Sequence, residues 1–316
     1  MPQTPGTGLE LMRTLDRCPV CGSDRLERAY TGKTTRPIDD RLWSVDRCLS
    51  CSLGFMNPQP SWGQLQPYYS SAYPAYDPSH GAEAPDEQII AEARQAGEYR
   101  HVRITEGLRL LEVGCGGGMF MRIARGLGAE VEGVEPSDVG ADRARGQGLN
   151  VFNGTVEQYI NQHADRTFDL ITANHVLEHT PDPVATLSAM KQLLAPDGLI
   201  WVAVPNAGCR FCVLLRDRWH STDLPFHLMQ FTQRALTVAA EKTGLAVEEI
   251  ATDSMPSAVA SSIRLMLRYR FFIPRRLSGA VGWIDRQWAP RLSQRLDAER
   301  RGEALLARFR LPTVPI

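Results

Sequence analysis

The hydrophobic and polar positions change rhythm partway along the chain. Residues 108–113, 130–134, 168–172 and 198–204 are short, mostly apolar runs of a length that suits strands buried between two layers. Residues 119–127, 138–147 and 183–194 fall between these runs and read as helices. Residues 86–103, rich in Glu, Ala, Gln and Arg, read as another ahead of them. Strands alternating with helices at this spacing predict a parallel, doubly wound sheet. Residues 303–310 read as a last strand. It is set apart by a stretch in which Val281, Ile284, Trp288, Leu292 and Leu296 recur three and four apart, the spacing of an amphipathic helix. Upstream, Tyr68, Tyr69, Tyr73 and Tyr76 lie in a proline-bounded connecting segment, where they either cap a ligand site or pack the N-terminal region onto its neighbour.

The chain has 316 residues, 43% of them hydrophobic and 22% charged, enough for one catalytic domain with an accessory. Its 35 Lys+Arg against 36 Asp+Glu give a formal charge of −1, which argues against a polycation built to wrap nucleic acid. No apolar run approaches the ~18 residues of a membrane span, and the N-terminus lacks a basic segment followed by an apolar one. A cytoplasmic location is expected on this ground.

Four of the seven cysteines form two Cys-x-x-Cys pairs, Cys18/Cys21 and Cys48/Cys51. Each turn places two thiolates on one side of a tight loop, and two such turns can close a tetrahedral shell around zinc. A shell filled by four thiolates leaves no open coordination position, so the expected role is structural. Cys209 and Cys212 repeat the spacing without a second pair nearby and read as small buried residues on a helix.

The run Glu112-Val113-Gly114-Cys115-Gly116-Gly117-Gly118 joins a predicted strand to a predicted helix. Glycine there lets the backbone turn sharply and approach a ligand. Glu135 ends the next strand, where a ribose diol would be gripped. A carboxylate in the loop's own strand, Glu112, would repel a pyrophosphate but tolerates a sulfonium and an amine, which favours S-adenosylmethionine (SAM) over NAD.

Residues 111–118, Gly133-Val134-Glu135-Pro136-Ser137, residues 168–171 and residues 193–199 together resemble the ordered motifs of class I SAM-dependent methyltransferases. The subgroup most similar acts on sugars and natural products. It carries an N-terminal cysteine-pair zinc ribbon, a His175-Val176-Leu177-Glu178-His179 stretch, and Pro225-Phe226-His227 before Phe231-Thr232. The resemblance implies a Rossmann-like, seven-stranded, mostly parallel sheet with helices on both faces, preceded by a small zinc-ribbon domain. The domains expected are a ribbon (1–60), a Tyr/Pro-rich linker and helix (61–105), a SAM-binding core (106–253), a basic amphipathic helical insertion (254–301), and a final core strand and tail (302–316). It further implies that Glu135 holds the ribose hydroxyls and that Gly114, Cys115, Gly116 and Gly118 line the donor with Glu112 and Pro136. Thr155 and Val156 would approach the adenine, with Asn174 and His175 also on the donor side.

His175-x-x-Glu178-His179 also matches an inverted zinc-protease pattern, but a stretch that precedes Thr180-Pro181 has room for only about one helical turn. Similar methyltransferases of the ubiquinone pathway have an acidic version of this stretch that can hold a divalent metal. His175 replaces the leading acid here, which argues against a catalytic metal. Glu178 and His179 are expected as a buried hydrogen-bonded pair, with His179 also a candidate catalytic residue. His227 is the better candidate base, because an imidazole titrating near neutrality can take a proton from an acceptor; its alternative is a cap for the helix starting near Thr232.

Residues 254–301 hold ten arginines against Asp285, Asp297 and Glu299. Such an insertion fits a lid or dimer face, or docking on an anionic membrane surface or a phosphate-bearing acceptor. The function expected is methyl transfer from SAM to a small acceptor: a sugar, nucleotide-linked sugar, glycan or natural-product scaffold, through carbon or oxygen. The alternatives are an rRNA methyltransferase that uses the ribbon on RNA, and a non-catalytic scaffold.

Overall fold

The computed structural model describes residues 12–34, 40–69, 73–77, 79, 84–272 and 287–312. The N-terminal region contributes β1 (Leu26–Lys33), β2 (Leu42–Cys48), β3 (Gly54–Met56) and a short helix α1 (Trp62–Leu65). Helix α2 (Asp86–Ala96) follows. It stops short of the predicted Arg103 because Gly97 turns left-handed (φ 76°) and its N–H caps Ala93 O.

The core then runs β4 (Arg109–Val113), α3 (Met119–Gly126), β5 (Glu130–Glu135), α4 (Asp138–Arg145), β6 (Val151–Asn153), α5 (Val156–Gln162), β7 (Phe168–Asn174), α6 (Pro183–Gln192) and β8 (Leu194–Pro205). Next come α7 (Arg210–Leu215), β9 (Met229–Gln230), α8 (Gln233–Thr243), β10 (Ala246–Asp253), α9 (Pro256–Arg270), α10 (Ala289–Ala298) and β11 (Ala304–Arg310).

Seven strands form one sheet in the order β10-β11-β8-β7-β4-β5-β6. The pairs within β8-β7-β4-β5-β6 are parallel, and β11 lies antiparallel between β8 and β10. This is the expected α/β, Rossmann-like, mostly parallel sheet. Its central strands are buried along most of their length, as parallel strands covered on both faces must be. The ends of β4, β5 and β7 therefore sit on one edge, the place where an open α/β sheet receives ligands.

A second sheet, β1-β2-β3-β9, belongs to the cysteine region. Its last strand comes from far along the chain: Gly54 pairs Gln230 and Phe55 pairs Met229. Trp43, Val45, Phe55 and Met56 share one hydrophobic core with Leu228, Phe231 and the sheet residues Ile171 and Val202. Asn57 ties in the N-terminal segment, exchanging hydrogen bonds with the Leu15 backbone (2.9 Å each) and donating to Asp46 at 2.7 Å.

The expected insertion sits between β10 and β11. Its described helices, α9 and α10, pack with α7 and Trp219 around Val259, Ile263 and Leu296. Of the predicted apolar stripe, Val281 and Ile284 lie outside the described residues. Leu296 is buried, whereas Trp288 is 60% exposed and precedes the helix, which begins at Ala289 with Pro290 in its first turn. Cys209 and Cys212 are buried as expected, with Cys209 capping α7.

Candidate active site

The glycine loop leaves β4 with three residues at positive φ: Gly114 (69°), Gly116 (52°) and Gly118 (83°). A side chain at Gly116 would also have no room, because an added Cβ would sit 2.4 Å from the carbonyl oxygen of Ala75. The tyrosine segment thus lies against the loop, and Gly117 N–H donates to Ala75 O at 3.0 Å. Glu135 closes β5 beside the loop, buried, with Oε2 accepting from Gly116 N–H (2.8 Å) and Oε1 from Ser137 N–H (2.9 Å). Burial nevertheless pushes its pKa above the usual carboxylate range.

Glu112 is buried one residue before the end of β4, and its Oε2 meets no hydrogen-bond partner. Burial pushes its pKa up to about 8. A buried carboxylate with an unpartnered oxygen in the strand that leads into the glycine loop suits a cationic ligand better than a pyrophosphate. Cys115 packs in an apolar cluster with Met121 and Leu149, Pro136 is exposed beyond β5, and Asn174 is half-buried at the end of β7. Thr155 and Val156 begin α5: Thr155 caps it through a capping box with Gln158, and Val156 turns into the core. That Thr-x-x-Gln signature marks the helix in the sequence, and the expectation that stopped at the adenine overlooked it.

Beyond β7 the histidine stretch makes a single 3₁₀ turn, Leu177–His179, which fits the room the sequence allowed and not a metalloprotease helix. The expected Glu178–His179 hydrogen bond is not formed, because each group is bonded to other partners. Glu178 Oε1 lies 3.0 Å from His175 Nδ1, while His179 Nδ1 lies 2.9 Å from Phe226 O and 3.0 Å from the Tyr69 hydroxyl.

His227 does not cap the helix after it; Thr232 does so with its own hydroxyl. Instead His227 Nδ1 donates to Ser221 O at 2.8 Å. Because carbonyl oxygens only accept, both His179 and His227 carry their proton on Nδ1 and leave Nε2 as a lone pair. Their rings meet edge to face at 4.8 Å. Burial first, and the proximity of a second imidazole next, hold His179 down to about 4, so it is neutral at pH 7. Burial opposes ionisation of Glu178, but the neighbouring imidazoles outweigh it and hold that carboxyl at about 2. A Glu178 oxygen and one nitrogen each of His179 and His227 lie within 4.8 Å of one another, an arrangement that can take up a proton or a divalent cation.

The tyrosines line this face. Tyr69 and Tyr73 pack on Phe226 at 5.1 and 5.5 Å between centroids, and Tyr73 continues to Tyr76 at 5.1 Å. Tyr68 bridges the two regions, edge-on to Phe226 at 6.1 Å and to Trp43 of β2 at 6.3 Å. The segment thus joins the cysteine region to the core, as one of the two expectations had it, and it packs on Phe226 beside His179 and His227.

The four cysteine sulfurs of the N-terminal region converge, with Cys18–Cys51 and Cys21–Cys48 each at 3.5 Å. Sulfurs around a tetrahedral ion with Zn–S near 2.3 Å stand about 3.8 Å apart, so the cluster fits that geometry. The backbone N–H groups of Ser50 and Cys51 point at Cys48 Sγ (3.4 and 3.5 Å), the outer support that metal-bound thiolates commonly have.

Residues 86–250 match the methyltransferase domain family, and the chain belongs to it. The ubiquinone biosynthesis O-methyltransferase of Aromatoleum aromaticum is 35% identical over 106 residues, covering 32% of this chain and 45% of the relative. That of Actinobacillus pleuropneumoniae is 38% identical over 110 residues, with coverage of 32% and 47%. The match thus spans about half the length of these relatives. Among solved structures, the [4+2]-cyclase SpnF superposes over 81% of this chain and 98% of its own (TM-score 0.51, 18% identity), which is a likeness of fold.

Proposed function

We propose that the protein transfers a methyl group from SAM to a small-molecule acceptor. The observation that carries this reading is the pairing of a left-handed glycine loop, whose Gly116 N–H faces Glu135, with a second buried carboxylate, Glu112, that has an oxygen to spare. Glu135 would exchange its Gly116 and Ser137 partners for ribose hydroxyls, and Glu112 would balance the donor's positive charge. When bound, SAM supplies an activated methyl on a sulfonium. The chain's own work is to align the acceptor in line with that methyl, to exclude water with the Tyr69–Tyr73–Phe226 wall, and to accept the acceptor's proton at the Nε2 of His227, with His179 beside it.

The relatives' names favour oxygen as the methylated atom. We place the acceptor among small hydroxyl-bearing molecules, a class that includes the sugar and natural-product scaffolds expected from the sequence. The cysteine cluster is assigned a structural zinc ion.

The test is calorimetric titration with S-adenosylhomocysteine (SAH). Loss of two charge-assisted hydrogen bonds, each worth about 1.5–3 kcal/mol, should weaken binding at least about 100-fold in Glu135→Ala. An unchanged affinity would remove Glu135 from the donor site and reopen the scaffold reading.

A further inference from the structure

The insertion returns to the sheet at Glu303, the residue before β11, and this side chain is buried (5% exposed). Its backbone is fixed on both sides: the N–H donates to Ser254 Oγ at 3.0 Å, and the carbonyl accepts from Asn206 N–H, just past β8, at 2.8 Å. Glu303 Oε1 accepts from Trp219 Nε1 at 3.2 Å and from the Ser262 hydroxyl of α9. Among the described residues Glu303 Oε2 meets no hydrogen-bond partner. It stands 3.8 Å from His220 Nε2, an atom that is likewise buried and unpartnered.

His220 begins the 3₁₀ turn His220–Thr222, and this turn carries the atom that sets the tautomer of His227. Ser221 Oγ lies 2.8 Å from His220 Nδ1, and Ser221 O accepts from His227 Nδ1 at 2.8 Å. The backbone on either side is strained. Arg216 ahead of the turn and Asp223 behind it have positive φ (51° and 32°), which a residue with a side chain rarely adopts. Thr222 Oγ1 donates to Arg216 O at 2.7 Å, and Asp223 O accepts from His227 N–H at 3.1 Å. Such strain persists only where the surroundings over-determine the conformation, and Glu303 is the buried acid that Trp219 and His220 face.

We infer, resting on the reading of His227 as the proton acceptor, that Glu303 and His220 are its positioning residues and act in series through Ser221. A buried carboxylate oxygen and a buried imidazole nitrogen each need a partner, and here each is the partner the other lacks. Their separation is about 1 Å longer than a charge-assisted hydrogen bond, a gap that a small turn of either side chain closes. A carboxylate oxygen only accepts, so the contact places a proton on His220 Nε2 and leaves Nδ1 to accept from the Ser221 hydroxyl. With its hydroxyl engaged, Ser221 does not bond back to the backbone of its own turn, and its carbonyl stays aimed at His227 Nδ1. His227 thereby keeps its lone pair on Nε2. The insertion also gains a role, because its return point at Glu303 and Ser262 of α9 hold the back of the turn that orients the proton acceptor.

The test is nitrogen-15 NMR of the histidine rings in the full-length protein at pH 8. His220 is expected as the Nε2–H tautomer and His227 as the Nδ1–H tautomer. In E303Q the amide oxygen still serves Trp219 and Ser262 but the amide NH2 faces His220, so His220 should change to the Nδ1–H form. The ratio of Nδ1–H to Nε2–H His227 should then fall about fivefold, the worth of one net hydrogen bond. H220A should lower this ratio to a similar extent, and E303Q with H220A no further, because residues acting in series are not additive. S262A removes the other donor to Glu303 Oε1 and should leave both tautomers unchanged. SAH affinity of these variants should equal that of the parent chain.

An unchanged His227 ratio in E303Q or H220A overturns the inference, and so do additive effects in the double variant. An equal shift in S262A overturns it as well, because that is the mark of general loosening at the base of the insertion. Loss of SAH affinity in E303Q counts against it in the same way. A parent chain that binds no SAH would instead remove the methyltransferase reading, and the ring spectra would still decide whether Glu303 and His220 set the His227 tautomer.

Discussion

At Glu112 the protein keeps a proton where a carboxylate would ordinarily have lost it. With its pKa pushed up to about 8 by burial, Glu112 is mostly protonated at pH 7 in the empty site. A raised carboxyl pKa means that the empty fold holds this contribution to stability at low pH and loses it as pH rises through about 8. A cationic donor reverses the preference, so binding should expel a proton. Calorimetric titration of SAM at pH 7 in buffers of different ionisation enthalpy should report release of up to one proton. At pH 9.5 the release should vanish, and buffer-independent heats at pH 7 would contradict the assignment.

Gly116→Ala should cost about 1–3 kcal/mol through its left-handed backbone alone, and more through contact with Ala75 O. Denaturant unfolding measures this directly. Residues of this kind were legible in the sequence because the demand for glycine follows from backbone handedness. The tautomers of His179 and His227 were not, because the carbonyls that set them, Phe226 O and Ser221 O, are brought there by a loop whose path only the tertiary structure gives.

Among the elements, the long strands and helices of the core followed from periodicity, since a buried strand between two layers leaves a plain apolar run. The unit β6–α5 did not, because a three-residue strand has no period to detect. The cysteine pairs marked out an N-terminal unit, but nothing in residues 229–230 advertises that they complete its sheet. The tyrosine segment is the other element with two loyalties. Tyr69→Phe removes one hydroxyl from His179 and should cost about 1 kcal/mol of stability while leaving SAH binding intact. If the proton-acceptor reading is right, it should also alter the pH profile of methyl transfer once an acceptor is in hand.

For the molecule as a whole, one hydrophobic core runs from Cys18 and Trp43 through Leu228 to the seven-stranded sheet. Two separable domains would melt in two steps, but a shared core predicts one transition. Scanning calorimetry should show a single endotherm. Cys48→Ser, which removes one of the four sulfurs from the cluster, should lower its midpoint rather than split it. A preserved midpoint for the sheet, with early loss of the ribbon, would show that the two are energetically independent.

The match to the methyltransferase domain begins at residue 86, yet the carbonyl that braces the glycine loop belongs to Ala75, and the strand that finishes the ribbon is β9. Each region thus borrows backbone from the other. Recombination that exchanged the N-terminal region for another would remove the Ala75 carbonyl from the glycine loop and leave an unpaired strand behind. The two regions should therefore be inherited as one block, and a chimaera joined at residue 86 would carry every motif of the family and still lack a complete site.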